Sequence, residues 1–165
     1  TRLANGTAGQ VLQSNGTTLA PSWSSLTSIV RLSSVNGYGS TNTMIRRFTN
    51  TVTNSGSDIT YADSATLGAS FTINAAGMYS MGFCEQFNAS GNFGISLNSS
   101  ELTTSITTIT DANRLCLSTT AATDVNGYVG ATVYLAVNDV IRPHNQGAVS
   151  GSTPGRTSFY IARVG

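Results

Sequence analysis

The sequence predicts an all-β protein, a sandwich or barrel of short antiparallel strands over residues 28–165 preceded by a short stem over residues 1–27. Three observations carry this expectation. Polarity comes from hydroxyls and amides: the 165 residues include 24 Thr, 22 Ser, 14 Asn and 17 Gly, against eight Arg and no Lys. Such residues suit strands and turns rather than helices. From Ser28 onward, apolar and polar residues alternate in short stretches that Gly, Asn, Asp or Pro interrupt about every 8–12 positions. No stretch shows a convincing helical period.

In chain order, the stem comes first. The run NGTAGQVLQSNGTTLAPSW has three glycines and two Asn-Gly steps around few apolar residues. Asn-Gly favours turns whose central residues need positive φ, so a turn, a short strand around Val11 and Leu12, and a second turn are expected before Pro21 and Trp23. So little apolar mass becomes ordered only when other chains cover it. Strands are then expected near 28–34, 44–52, 67–73, 92–98, 113–118 and 157–164. The clearest is 78–87, with Tyr79, Met81, Phe83 and Phe87 on one parity and Ser80, Gly82, Cys84 and Gln86 on the other. Strand 128–137 places Val129, Ala131, Val133, Leu135 and Val137 on the core parity, and Asn138-Asp139 turns the chain into 140–143. Residues 99–111 read either as an edge strand or as an ordered loop.

Composition also excludes function classes. A formal net charge of +1, with arginines scattered from Arg2 to Arg163, offers no basic cluster for phosphate, so nucleic acid is not an expected partner. No apolar run of about 18 residues exists to insert in a membrane, and the N-terminus lacks the layout of a signal peptide. Cys84 and Cys116 stand far from any metal-like spacing, which leaves two free thiols or one disulfide. No Gly-x-Ser-x-Gly elbow accompanies His144, so a Ser-His-Asp hydrolase is not expected and no catalytic residue is assigned.

The segments FTINAAGMYSMGF (71–83), GYVGATVYLAVNDVI (127–141) and SFYIARV (158–164) resemble, in order and spacing, the head domain of the complement-one-q and tumour-necrosis-factor superfamily. Asn138 replaces the Gly of that family's Leu-x-x-Gly-Asp turn, and Asn tolerates positive φ. Separately, GTAGQVLQSNG followed by APSW looks like the linker before the tip of many bacteriophage tail fibres and some bacterial surface fibres. Together the resemblances imply a homotrimeric fibre ending in an antiparallel jelly roll. They also imply an extracellular location, on a virion tail-fibre tip or a bacterial surface fibre. The small, uncharged outer face formed by Ser80, Gly82, Gly130 and Thr132 independently calls for a covering protein surface. In the superfamily this sheet faces the threefold axis, which implies Tyr128 and Tyr160 as aromatic plugs between subunits, with Val11, Leu12 and Trp23 packing the stem.

The same topology implies that loops 36–43, 87–92, 119–127 and 144–156 share the end farthest from the stem. Their amides, hydroxyls and few charged or aromatic groups match a glycan, or else an outer-membrane protein of a target bacterium. The residues expected to meet it are Tyr38, Asn88, Asn92, Asp124, Asn126, His144, Asn145 and Arg156. No cofactor is expected, except that some relatives hold Ca²⁺ near the axis, for which Asp124 is the acidic candidate. The leading expectation is an attachment tip, and the alternative is a structural trimerisation cap.

Overall fold

The computed structural model describes residues 4–7, 10–14, 16–25, 27–33, 37–87, 89–120, 125–147 and 156–165. Its strands are β1 (Gln10–Gln13), β2 (Ser22–Ser25), β3 (Ile29–Ser33), β4 (Asn50–Ser55), β5 (Ile59–Ser64) and β6 (Gly68–Ile73). They continue with β7 (Gly77–Phe87), β8 (Gly91–Leu97), β9 (Arg114–Thr120), β10 (Val125–Leu135), β11 (Val140–Asn145) and β12 (Ser158–Arg163). β1 and β2 make a hairpin, and the rest form two five-stranded sheets ordered β10-β7-β12-β3-β4 and β5-β6-β11-β8-β9. All pairings are antiparallel. Sheet neighbours distant in sequence make this a jelly-roll sandwich, the fold class expected from the sequence.

The alternation on β7 builds the core. Tyr79, Met81, Phe83 and Phe87 are buried between the sheets, where Phe83 meets Phe93 edge-on at 5.5 Å and Phe71 stacks on Phe159 at 4.5 Å. Each such side chain contributes about 1.5–3 kcal/mol through burial. On β10, Val129 and Leu135 are buried and Ala131 and Val133 pack on the core. Val137, expected inside, is 51% exposed, because β10 ends at Leu135 and the turn has already begun. Asn138 holds that turn at φ 72, as its side chain permits.

Several strand expectations need correction. Residues 44–49 are not strand: Ile45 makes an isolated bridge to His144, and β4 begins only at Asn50. β5 was not expected. Residues 99–111 are an ordered loop, which ends in a short 3-10 turn at Asp111–Asn113. Ile106 and Ile109 are buried in this loop. It lies on the outer face of the second sheet, where a side chain at Gly94 would meet Ile106 at 3.0 Å. Arg114 Nη1 donates to the carbonyls of Ile106 at 3.0 Å and Thr107 at 3.1 Å, and Arg114 also bonds Asp111. No helix among the described residues is long and apolar enough to cross a membrane.

Candidate functional site

Strand register places the loops. Val125 faces Phe87, Gly91 faces Thr120, Asn145 faces Phe93, and Ser158 faces both Cys84 and Ser33. The connections after β3, β7, β9 and β11 therefore leave from one end of the sandwich. At the other end Arg163 N–H donates to Ser28 at 2.9 Å and Met78 N–H to Gly165 at 2.8 Å. The point where residues 1–27 join lies opposite the loops.

Beneath those loops sits a buried polar hub that sequence reasoning missed. Glu85, fully buried on the core parity of β7, accepts from Arg46 Nε at 2.6 Å and Arg46 Nη2 at 2.8 Å. It also accepts from Asn145 Nδ2 at 2.8 Å, Thr157 Oγ1 at 3.0 Å and the Gln86 N–H at 3.1 Å. The Arg46 guanidinium lies 4.5 Å from the centre of the Tyr38 ring, and the Tyr38 hydroxyl accepts from Asn145 Nδ2 at 2.9 Å. Although burial opposes its charge most strongly, the Glu85 carboxylate leaves the Arg46 guanidinium harder to deprotonate than usual. The hub ties the base of the 37–47 segment to both ends of the β11–β12 connection.

The sequence-predicted ligand residues divide accordingly. Tyr38 and Asn145 are brought together, but inside the hub, with Asn145 fully buried. His144 is corrected: it lies on β11 rather than in a loop, is 0% exposed, and cannot meet a ligand at the surface. Its Nε2 lies 2.8 Å from the Thr104 carbonyl and its Nδ1 3.1 Å from Ser96 Oγ. Because a carbonyl can only accept, Nε2 carries the proton, which in the neutral ring leaves Nδ1 to accept from the Ser96 hydroxyl. Burial first, then nearby Arg142, pushes its pKa down, against the Thr104 hydrogen bond and Glu101. Asn92 bonds Gln146 and accepts from Thr119, which joins three loop bases. Asn126 and Arg156 are exposed. Asn88 and Asp124 lie outside the described residues, and with Asp124 the calcium candidate. Among the described residues no group of three metal-ligating side chains converges.

The outer face of the first sheet holds the predicted subunit contacts. Tyr128 and Tyr134 are 57% and 66% exposed, and Gly130 and Thr132 beside them are exposed while Ser80 and Tyr160 are partly covered. The Tyr128 and Tyr160 hydroxyls lie 3.3 Å apart, and that hydrogen bond, then burial, pushes Tyr128 up to about 12. Ser80, Gly130, Thr132 and the two tyrosines line a shallow depression of about 250 Å³. The reason for Gly82 differs from the one expected. A Cβ there would stand 2.5 Å from the Tyr160 ring and 2.7 Å from the Tyr128 hydroxyl, so the chain's own tyrosines already cover it. Cys84 and Cys116 are free thiols. In the stem, Val11 and Leu12 are 38% and 53% exposed, and Trp23, 37% exposed, lies over Gly6 while its Nε1 donates to Ala4 at 2.6 Å.

Two antiparallel five-stranded sheets in this order define a jelly roll of the tumour-necrosis-factor type. Three crystal structures of murine APRIL, at pH 8.5, 8.0 and 5.0, share it with TM-scores of 0.55, 0.55 and 0.57 and sequence identities of 12%, 11% and 12%. Each match covers 84% of this chain and 99% of the APRIL chain. At that identity the likeness establishes the fold. No protein-family model and no curated protein sequence matches this chain.

Proposed function

We propose that this chain is the receptor-binding tip of a homotrimeric extracellular fibre, on a phage tail or a bacterial surface, and that it attaches without catalysis. The observation that supports it best is the uncharged outer face of β7 and β10. Tyr128, Tyr134, Gly130 and Thr132 expose apolar and hydroxyl surface where a solvated sheet face would carry charge. Two further copies cover that face, and the largely apolar interface is obligate. Loops gathered opposite the stem-bearing end then point outward to a cell-surface glycan or an outer-membrane protein.

One observation favours a structural cap. Tyr38, Asn92 and His144 spend polar groups on internal bonds and Asn145 is fully buried, which leaves Asn126 and Arg156 as the exposed members of the predicted set that are described. Sedimentation tests assembly: the expected mass is three times 17.1 kDa, and a stable single chain refutes the trimer. Replacing residues 121–124 with a Gly/Ser linker, together with Asn126→Ala and Arg156→Ala, separates the two readings. Attachment lost from an intact trimer supports the tip, and attachment unchanged supports the cap.

A further inference from the structure

We infer that the outer face of the second sheet carries an oxyanion site centred on Arg142, suited to the carboxylate or sulfate of an acidic saccharide. Arg142 lies on β11, the middle strand of that sheet. Its neighbour Ile141 enters the core, so the Arg142 side chain leaves on the opposite face. It is half-buried there, and its Nη1 donates to the Ala69 carbonyl at 3.2 Å.

The other partly or fully buried arginines of the described residues each have a carboxylate. Arg46 has Glu85 at 2.6 Å, Arg47 has Asp63 at 2.8 Å, Arg163 has Asp58 at 3.1 Å, and Arg114 has Asp111. Arg142 has none, and burial with no counter-charge makes its guanidinium easier to deprotonate. The remaining described acids are committed elsewhere. Glu101 accepts from the Thr110 N–H, and Asp139 from Asn98 and the Ala136 N–H. A guanidinium has five donors in a planar fork, so most stay available for a two-toothed grip on an oxyanion.

The surroundings explain why a sugar would bring that anion. On the β8 side the cross-strand partner Ser96 is buried and spends its hydroxyl on His144, so that flank is closed to a ligand. Ser70 and Thr72 occupy the outer parity of β6, the strand on the other side, and are partly buried. The β6 hydroxyls can give and accept hydrogen bonds to ring hydroxyls, and Glu101, the acid of the loop on the same face, is engaged by the Thr110 N–H. The site is on the other sheet from Tyr128 and Tyr160, beside the part of the face that the 99–111 loop covers at Gly94 and His144, and it depends neither on the trimer nor on the tip loops.

The test follows the arginine Nε–H signals of the ¹⁵N-labelled full chain during titration with glucuronate, glucose 6-sulfate, glucose and sodium sulfate. One signal, the one missing in Arg142→Gln, is expected to shift saturably with either acidic sugar and not with glucose. Arg142→Lys keeps the charge without the fork and should weaken binding about tenfold or more. Arg31→Gln, at an exposed position on the other sheet, should leave the titration unchanged. Absence of any shift up to about 100 mM, well above a millimolar affinity, or a shift that persists in Arg142→Gln, overturns the site. Sodium sulfate binding as tightly as the acidic sugars overturns the saccharide assignment.

Discussion

Replacing Glu85 with Gln should be the most damaging single change beneath the loops. The Arg46 guanidinium is 1% exposed and depends on Glu85 for its counter-charge. Removing one partner of a buried pair leaves the other desolvated and uncompensated, which costs about 3–5 kcal/mol. The new amide NH₂ would also face donors from Arg46, Asn145 or Thr157, where an oxygen now accepts. At about 1.4 kcal/mol per decade, the unfolded population rises a hundredfold to several thousandfold. The double variant Arg46→Met, Glu85→Gln leaves no buried charge and keeps one acceptor oxygen. Its cost should fall to about 1–3 kcal/mol, that of one unsatisfied buried donor. Urea denaturation followed by near-ultraviolet circular dichroism, at fixed chain concentration, measures the parent chain, the single variants Glu85→Gln and Arg46→Met, and the double variant. If Glu85→Gln costs under about 1 kcal/mol, or if the double variant costs the sum of the two singles, the hub is not a coupled buried ion pair.

Three further outcomes are expected. Gly82→Ala puts a methyl group into the Tyr128 and Tyr160 rings and should cost about 1–3 kcal/mol through overpacking, read as a lower urea midpoint; a neutral result would mean the rings do not lie there. His144 has a folded pKa below its ordinary 6.5, so the unfolded chain takes up a proton first. Its contribution to stability is then full above pH 6.5 and is lost as the pH falls towards the folded value, and His144→Gln should flatten that decline in denaturation midpoint between pH 7.5 and 5. Asn138→Val forces a β-branched residue to φ 72 and should cost about 1–2 kcal/mol, while Asn138→Gly should be close to neutral in the same urea assay.

Strands were legible where one sheet face is uniformly apolar. Tyr79, Met81, Phe83 and Phe87 gave away β7 because period-two alternation is a local signal. Glu85 shares their parity, but its burial rests on Arg46, 39 positions away, and pattern reading does not reach that far. β5 escaped because ITYADS has an Asp and only two large apolar side chains. His144 looked like a loop residue because it opens the Gly-rich run 144–156, yet β11 carries it and Pro143 before it, although proline seldom sits within a sheet. The structure shows why it is tolerated. β6 pairs with β11 only at Val140 and Ile141; beyond them the 45–46 segment takes over, and the Pro143 carbonyl accepts from the Arg46 N–H at 3.1 Å. The lost donor faces an isolated bridge rather than a continuous ladder. His144 and Asn145 were expected at the tip surface for the same reason: polar residues near a loop look available until their distant partners are known.

The pairing of β3 also has a mechanical consequence. β3 starts at Ile29, at the end where residues 1–27 join, and runs to Ser33 below the loops, held by β12 on one side and β4 on the other. A pull between the two ends acts along this strand. Its hydrogen bonds lie across the load and must slip together instead of opening in turn, so the head should resist stretching far better than peeling.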